Sequence, residues 1–106
     1  MTQVFVKDPD AELDYGIDWS KWLATYETIL KYTITPETGI TVDSDLLSNK
    51  IGEDQDGLPI VLHADSIVII WLSGGTVGER YKIACKITTS ANHTDERTIF
   101  IDCQNL

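Results

Sequence analysis

Two cysteines, two histidines and three tryptophans are the side chains in this sequence with the most chemistry to offer. A thiolate beside an imidazole would make a nucleophile, so Cys85 or Cys103 would need His63 or His93 within reach. The acids of "DSD" (43–45) and "EDQDG" (53–57) could present oxygens to a hard cation. Trp19 and Trp22, three positions apart in "YGIDWSKWL" (15–23), could stack on a sugar or a peptide.

Each possibility meets a simpler reading. Both cysteines fall on the inward face of alternating apolar segments, where a free thiol behaves as a small hydrophobe. Neither belongs to a CxxC pair, so two buried reduced thiols are expected. His63 precedes a predicted strand and His93 sits in a predicted turn, with no metal-ligand spacing between them. No HExxH, GxSxG or phosphate-cradling loop is present. The acidic stretches lack the further spaced acid and terminal Glu of an EF-hand loop and read as solvated. "NHT" (92–94) matches a glycosylation acceptor, but no apolar leader precedes it in the chain. No catalytic residue, cofactor site or metal site is expected, and the chain is read as not an enzyme.

The net charge of −9, from 17 acidic against 8 basic residues, removes two partner classes. Nucleic acid and anionic membrane surfaces both require Lys and Arg clusters, and the chain has no basic run. "IVIIWL" (67–72) is the longest apolar run and is far too short to span a bilayer. The reading is of a chain made and folded in a cytosol.

The elements that must position these residues are short strands. Residues 1–12 contain "KDPDAE" and no periodicity, and read as an extended N-terminal arm before a domain at 13–106. "LDYGID" (13–18) alternates as a half-buried strand. Asp18 then suits a cap, its carboxylate accepting the N–H of Ser20 or Lys21 at the start of a short helical turn. In such a turn Trp19, Trp22 and Leu23 share one side, which favours a plug for the open end of a sheet pair. "TILKYTIT" (28–35) is a strand, with Leu30, Tyr32 and Ile34 on one face. A short strand through Ile40 and Val42 follows, and 45–59 reads as a loop. "SIVIIWL" (66–72) is apolar on both faces, as a covered strand would be.

"RYKIACKIT" (80–88) has the cleanest period-two pattern, and "RTIFIDCQ" (97–104) follows the turn "SANHTDE" (90–96). Facing their inward sets pairs Ile87 with Ile99, Cys85 with Ile101 and Ile83 with Cys103, which makes the thiols diagonal neighbours. Tyr81 stands just after a glycine corner, where a tyrosine hydroxyl caps a crossing connection in immunoglobulin-like domains. The fold class predicted is all-β: an antiparallel immunoglobulin-like β-sandwich of six to seven strands with one short helical turn near the N-terminus. Asp18, Trp19, Trp22 and Tyr81 are the residues singled out for structural or interaction roles.

Two blocks carry a family resemblance: "KDPDAELDYGIDWSKWL" (7–23) and "WLSGGTVGERYKIACKITTSANHTDERTIFI" (71–101). In the first, Asp8, Pro9, Asp10, Leu13, Asp14, Tyr15, Asp18, Trp19, Ser20, Trp22 and Leu23 fit the pattern. In the second, Trp71, Leu72, Ser73, Gly74, Gly75, Tyr81, Thr94, Asp95, Glu96 and Arg97 do. The chain thereby resembles small tailed-bacteriophage virion proteins, of the fibre–tail adaptor or head–tail structural kind. The stretch 45–65 is longer and more apolar than the link usual in that family. The resemblance implies a non-enzymatic structural protein of the virion, assembled in the bacterial host cytoplasm. It would join neighbouring tail components through its arm and sheet edges, in several copies per particle. The implied partners are other phage tail or head–tail proteins and the tail fibre, with no direct nucleic-acid or membrane contact. A capsid decoration protein and a carbohydrate- or receptor-binding module are the alternatives.

Overall fold

The structure is a computed structural model that describes residues 3–105. Among these residues seven strands form two sheets: β1 (Gln3–Lys7), β2 (Leu13–Asp18), β3 (Ile29–Pro36), β4 (Ile40–Glu53), β5 (Pro59–Gly74), β6 (Arg80–Thr89) and β7 (Thr94–Cys103). One sheet has the order β1-β7-β6-β3 and the other β2-β5-β4. All neighbouring pairs are antiparallel except β1, which runs parallel to β7. Residues Gln3–Lys7, which the sequence places in an arm, therefore lie along β7, from Gln3 opposite Ile99 to Lys7 opposite Cys103.

The two sheets close on one apolar core. Ile17, Val68, Ile70 and Leu72 come from one side, and Ile83, Cys85, Ile87, Ile99, Ile101 and Cys103 from the other. Their positions follow period two in each strand, because successive side chains of a pleated strand point to opposite faces. β3 breaks that rule. A bulge between Ile29 and Lys31 adds a residue, so Ile29 is buried while Tyr32 and Ile34 pack on the core from the opposite parity. Leu30, expected on the face with Tyr32 and Ile34, points outward instead.

Three further expectations are corrected. The β6–β7 hairpin pairs Ile83 with Ile99 and Cys85 with Arg97, four residues from the predicted register. The turn is shorter than "SANHTDE": Thr88 already faces Thr94, and Asn92 adopts φ 62° inside a tight loop. Shifting a register by an even number keeps the same faces inward, so alternation alone could not choose between the two pairings. With Cys103 paired beyond the start of β6, the thiols are not diagonal neighbours.

The segment 45–59 is mostly strand, because β4 and β5 form one long hairpin and only 54–58 turns the chain. Asp54 makes that turn, its carboxylate accepting the N–H groups of Asp56 and Leu58 at 2.8 and 2.9 Å. Last, the stretch after Asp18 is not a helix. The N–H groups of Trp22 and Leu23 both reach the Trp19 carbonyl, at 2.9 and 3.0 Å, and the chain then leaves in further turns.

At the opposite end from that stretch, Tyr81 underlies the glycine corner. Its hydroxyl accepts the N–H of Thr76 at 2.9 Å. Its ring fills the space beside Gly39 (φ +107°), where a Cβ would fall 2.7 Å from Tyr81 Cε1. Gly39 is therefore required twice, by its backbone conformation and by the ring beneath it.

Candidate functional site

The 19–28 loop is where most of the polar organisation gathers. It begins at Asp18, the last residue of β2, whose Oδ1 accepts the Ser20 N–H at 2.8 Å. Its other oxygen meets Lys50 of β4 at 3.0 Å. Desolvation is the largest single influence on this carboxyl and pushes its pKa up. The hydrogen bonds from Ser20 and the Lys50 ammonium together outweigh it, and the group sits below the usual carboxylate range.

Trp19 and Trp22 part company. Trp19 is fully buried; its indole N–H donates to Asp95 Oδ2 at 3.2 Å and the Arg97 guanidinium lies 4.9 Å from its ring centroid. Arg97 also donates to the Asp18 carbonyl at 2.7 Å, so β7 holds the start of the loop from two directions. Leu23 is buried beside it. Trp22 is 42% exposed, edge-on to His93 with ring centroids 6.4 Å apart. It opens onto a groove of about 500 Å³ lined by Asp18, Lys21, Lys50, Asp95 and Arg97. On the other side of the loop a second groove of about 460 Å³ runs between Leu23 and Tyr26 and the Val61–His63 segment of β5.

The loop closes through a cluster the sequence did not connect. The Glu27 carboxylate accepts from the Thr89 hydroxyl and from the Ala24 N–H, and lies 2.9 Å from His93 Nδ1. The carbonyl of Glu27 meets His63 Nε2. Thr89 in turn accepts the N–H of His93 at 3.1 Å. Three segments of the chain thus converge on Glu27: its own loop and the β6–β7 turn on the carboxylate, and His63 of β5 on the backbone carbonyl. No spacing rule links 27, 63, 89 and 93, so nothing in the sequence pattern signals the cluster.

The Thr89 hydroxyl, then the Ala24 N–H and His93, hold the Glu27 pKa below its ordinary value. A carboxylate whose pKa is lowered by folding contributes stability above its unfolded pKa, and that contribution is lost as pH falls through the folded value. The wild-type Tm is therefore expected to fall on acidification from pH 7 to about pH 3.5. Thr89→Val, which removes the largest of these influences, should make the decline smaller and end it at higher pH, and Glu27→Gln should remove the part due to this cluster. Differential scanning calorimetry across that range checks the order; parallel curves for the three proteins would contradict it.

Neither cysteine meets a histidine in these contacts. Burial pushes the Cys85 thiol up to about 12, and burial likewise raises that of Cys103, so both are held as neutral thiols. Among the described residues no group of three or more His, Cys, Asp or Glu side chains is placed to hold a metal ion.

The surface outside the loop has one more unusual part. Beyond Ser66 the β4–β5 hairpin continues as a two-stranded ribbon past the end of β2, which pairs with β5 only from Ile67 to Leu72. Ile51, Leu58, Val61 and Leu62 on this ribbon are each more than half exposed, and Ile60 is 39% exposed.

The family model described as "Podophage GP4 fiber-tail adaptor protein gp77" matches residues 7–102. No curated protein matches.

Proposed function

This chain belongs to the podophage GP4 fibre-tail adaptor family, and from that membership we propose that it is a non-enzymatic adaptor joining neighbouring components of the phage tail. The observation that carries the reading is the extent of the match, which takes in nearly the whole chain. The joints are its N-terminal segment and its sheet edges, the partners are the tail fibre and other tail or head–tail proteins, and several copies serve each particle. The adaptor is assembled in the host cytoplasm and touches neither nucleic acid nor membrane, in keeping with a net charge of −9.

The scaffold for this role is an immunoglobulin-like sandwich. Its support is strand order: β2-β5-β4 against β7-β6-β3 has the B-E-D and G-F-C arrangement of that fold, with β1 beside the last strand. Such a scaffold leaves β1 and β3 as the edges of one sheet and β2 and β4 as those of the other, and an edge can accept a strand from a neighbour.

The test is genetic. Phage carrying a nonsense codon in this gene, grown on a non-suppressing host, should yield filled particles without tail fibres. Adding the purified chain should restore fibre attachment. Normal fibre content in the mutant particles would refute the adaptor role.

A second reading has one observation in its favour, the exposed Trp22 ring in a polar groove. A carbohydrate-binding module would show a tryptophan fluorescence shift on titration with host surface oligosaccharides, abolished in Trp22→Ala. An unchanged spectrum removes that reading.

A further inference from the structure

The distal β4–β5 ribbon exposes apolar side chains on both of its faces. Ile51 and Val61 are cross-strand partners and share one face. Ile60 stands opposite Gly52 on the other face, and Leu62 lies over Gly52 so closely that a Cβ there would fall 2.5 Å from Leu62 Cδ1. Leu58 adds to the apolar surface at the turn, so the ribbon carries exposed apolar side chains on both faces and at its tip. A two-stranded hairpin without a third strand is marginal in water. Here β2 stops at Asp18 and covers β5 no further than Ile67, so the backbone edge of the ribbon is also unoccupied by β2.

The charge around this surface says what kind of neighbour it fits. Glu53, Asp54, Asp56 and Asp65 rim the ribbon. Its single lysine, Lys50, is committed to Asp18 at 3.0 Å. A second copy would bring another acidic chain, of net charge −9, against an acidic rim. A neighbour with an apolar groove and lysines or arginines at its margin would cover the isoleucines, valine and leucines and neutralise the rim together.

We propose that the distal β4–β5 ribbon, residues 49–65, is the inserting element of the adaptor, seated in an apolar groove with a basic margin on a different tail protein. The inference rests on the adaptor reading and names the surface that carries it. The apolar side chains supply the affinity. The acidic rim speeds encounter and excludes self-association.

The experiment uses particles that lack this chain and the full-length purified protein, with bound copies counted by quantitative labelling. Sedimentation of the free protein is measured alongside. Wild type should sediment as a monomer and bind the particles. Val61→Asp and Leu62→Asp should lower bound copies at least tenfold with Tm within a few degrees of wild type. Glu53→Lys with Asp56→Lys should slow binding several-fold at low salt and lose that difference at high salt. Val77→Asp, an exposed site near the glycine corner and away from the ribbon, should bind as wild type.

Wild-type failure to bind particles would overturn the adaptor reading and the ribbon with it. Binding of wild type and of both aspartate variants alike would overturn the ribbon alone. A wild-type dimer that dissociates on Val61→Asp would overturn the choice of a different protein as occupant. Because two independent positions on opposite faces are tested, misfolding of one variant leaves the other to decide.

Discussion

Trp19→Ala is expected to lower the free energy of unfolding by about 3–5 kcal/mol, the range for truncating a large buried aromatic. Trp19 is fully enclosed, and its loss removes more than volume. Asp95 would lose the indole N–H, and the Arg97 guanidinium would lose the ring it lies over. Arg97 also holds the Asp18 carbonyl, so the effect should spread to the end of β2 and the start of the loop. Trp22→Ala removes a ring of similar size from a half-exposed position and should cost about 1 kcal/mol or less. Urea denaturation of the two variants provides the contrast. Equal costs would mean that both rings are enclosed and that the groove beside Trp22 is not open.

The second large effect is expected at Lys7, a fully buried lysine at the end of β1. Its ammonium donates to the carbonyls of Asp8 at 2.8 Å and Gly74 at 2.9 Å, with that of Pro9 at 3.5 Å. The contact to Gly74 ties the N-terminal strand to the end of β5, and so one sheet to the other. A buried cation remains charged only where such oxygens replace its water. Lys7→Met keeps the apolar stem but strips the ammonium from those carbonyls, at an expected cost of about 2–3 kcal/mol for hydrogen bonds to a charged group. Hydrogen exchange should register this first in the amides of β1 and at the glycine corner, before the centre of β6. Uniform acceleration across all strands would contradict the view of Lys7 as a local pin. If the N-terminal segment also contacts a tail neighbour, the pin fixes where that segment starts its path.

How much of this was legible in the sequence depended on whether a feature was local. "RYKIACKIT" announced β6 by strict alternation, and the inward set Tyr81, Ile83, Cys85 and Ile87 is buried as alternation requires. The pairing of β6 with β7 was not legible to the residue, since a slip of four positions preserves every inward face. Only the turn decides, and Asn92 permits a tighter one than the seven residues of "SANHTDE" suggest. The β3 bulge has no marker in "TILKYTIT", which reads as an unbroken alternation.

The ribbon was missed for a different reason. Acids, glycines and a proline normally mark loops because most strands have a face to bury. Residues 49–65 extend past the core and have none, so strand pairing survives there without the usual amphipathic pattern. The Glu27 cluster was invisible for want of any sequence spacing between its members. By contrast Asp18, chosen because its carboxylate could take the N–H of Ser20 or Lys21, takes that of Ser20 at 2.8 Å, although the short helical turn expected after it is not a helix. The side-chain geometry of an N-cap and of a free-standing Asx turn is the same at its first step, and the residues beyond decide whether a helix continues.

The measurement that tests the adaptor assignment most directly is a particle reconstruction of the virion at a resolution that traces strands. The account predicts several copies of this chain in a ring between tail and fibre, each with its β4–β5 ribbon seated in a neighbouring protein. Copies spread over the capsid surface, or a ring in which every ribbon points into solvent, would contradict it.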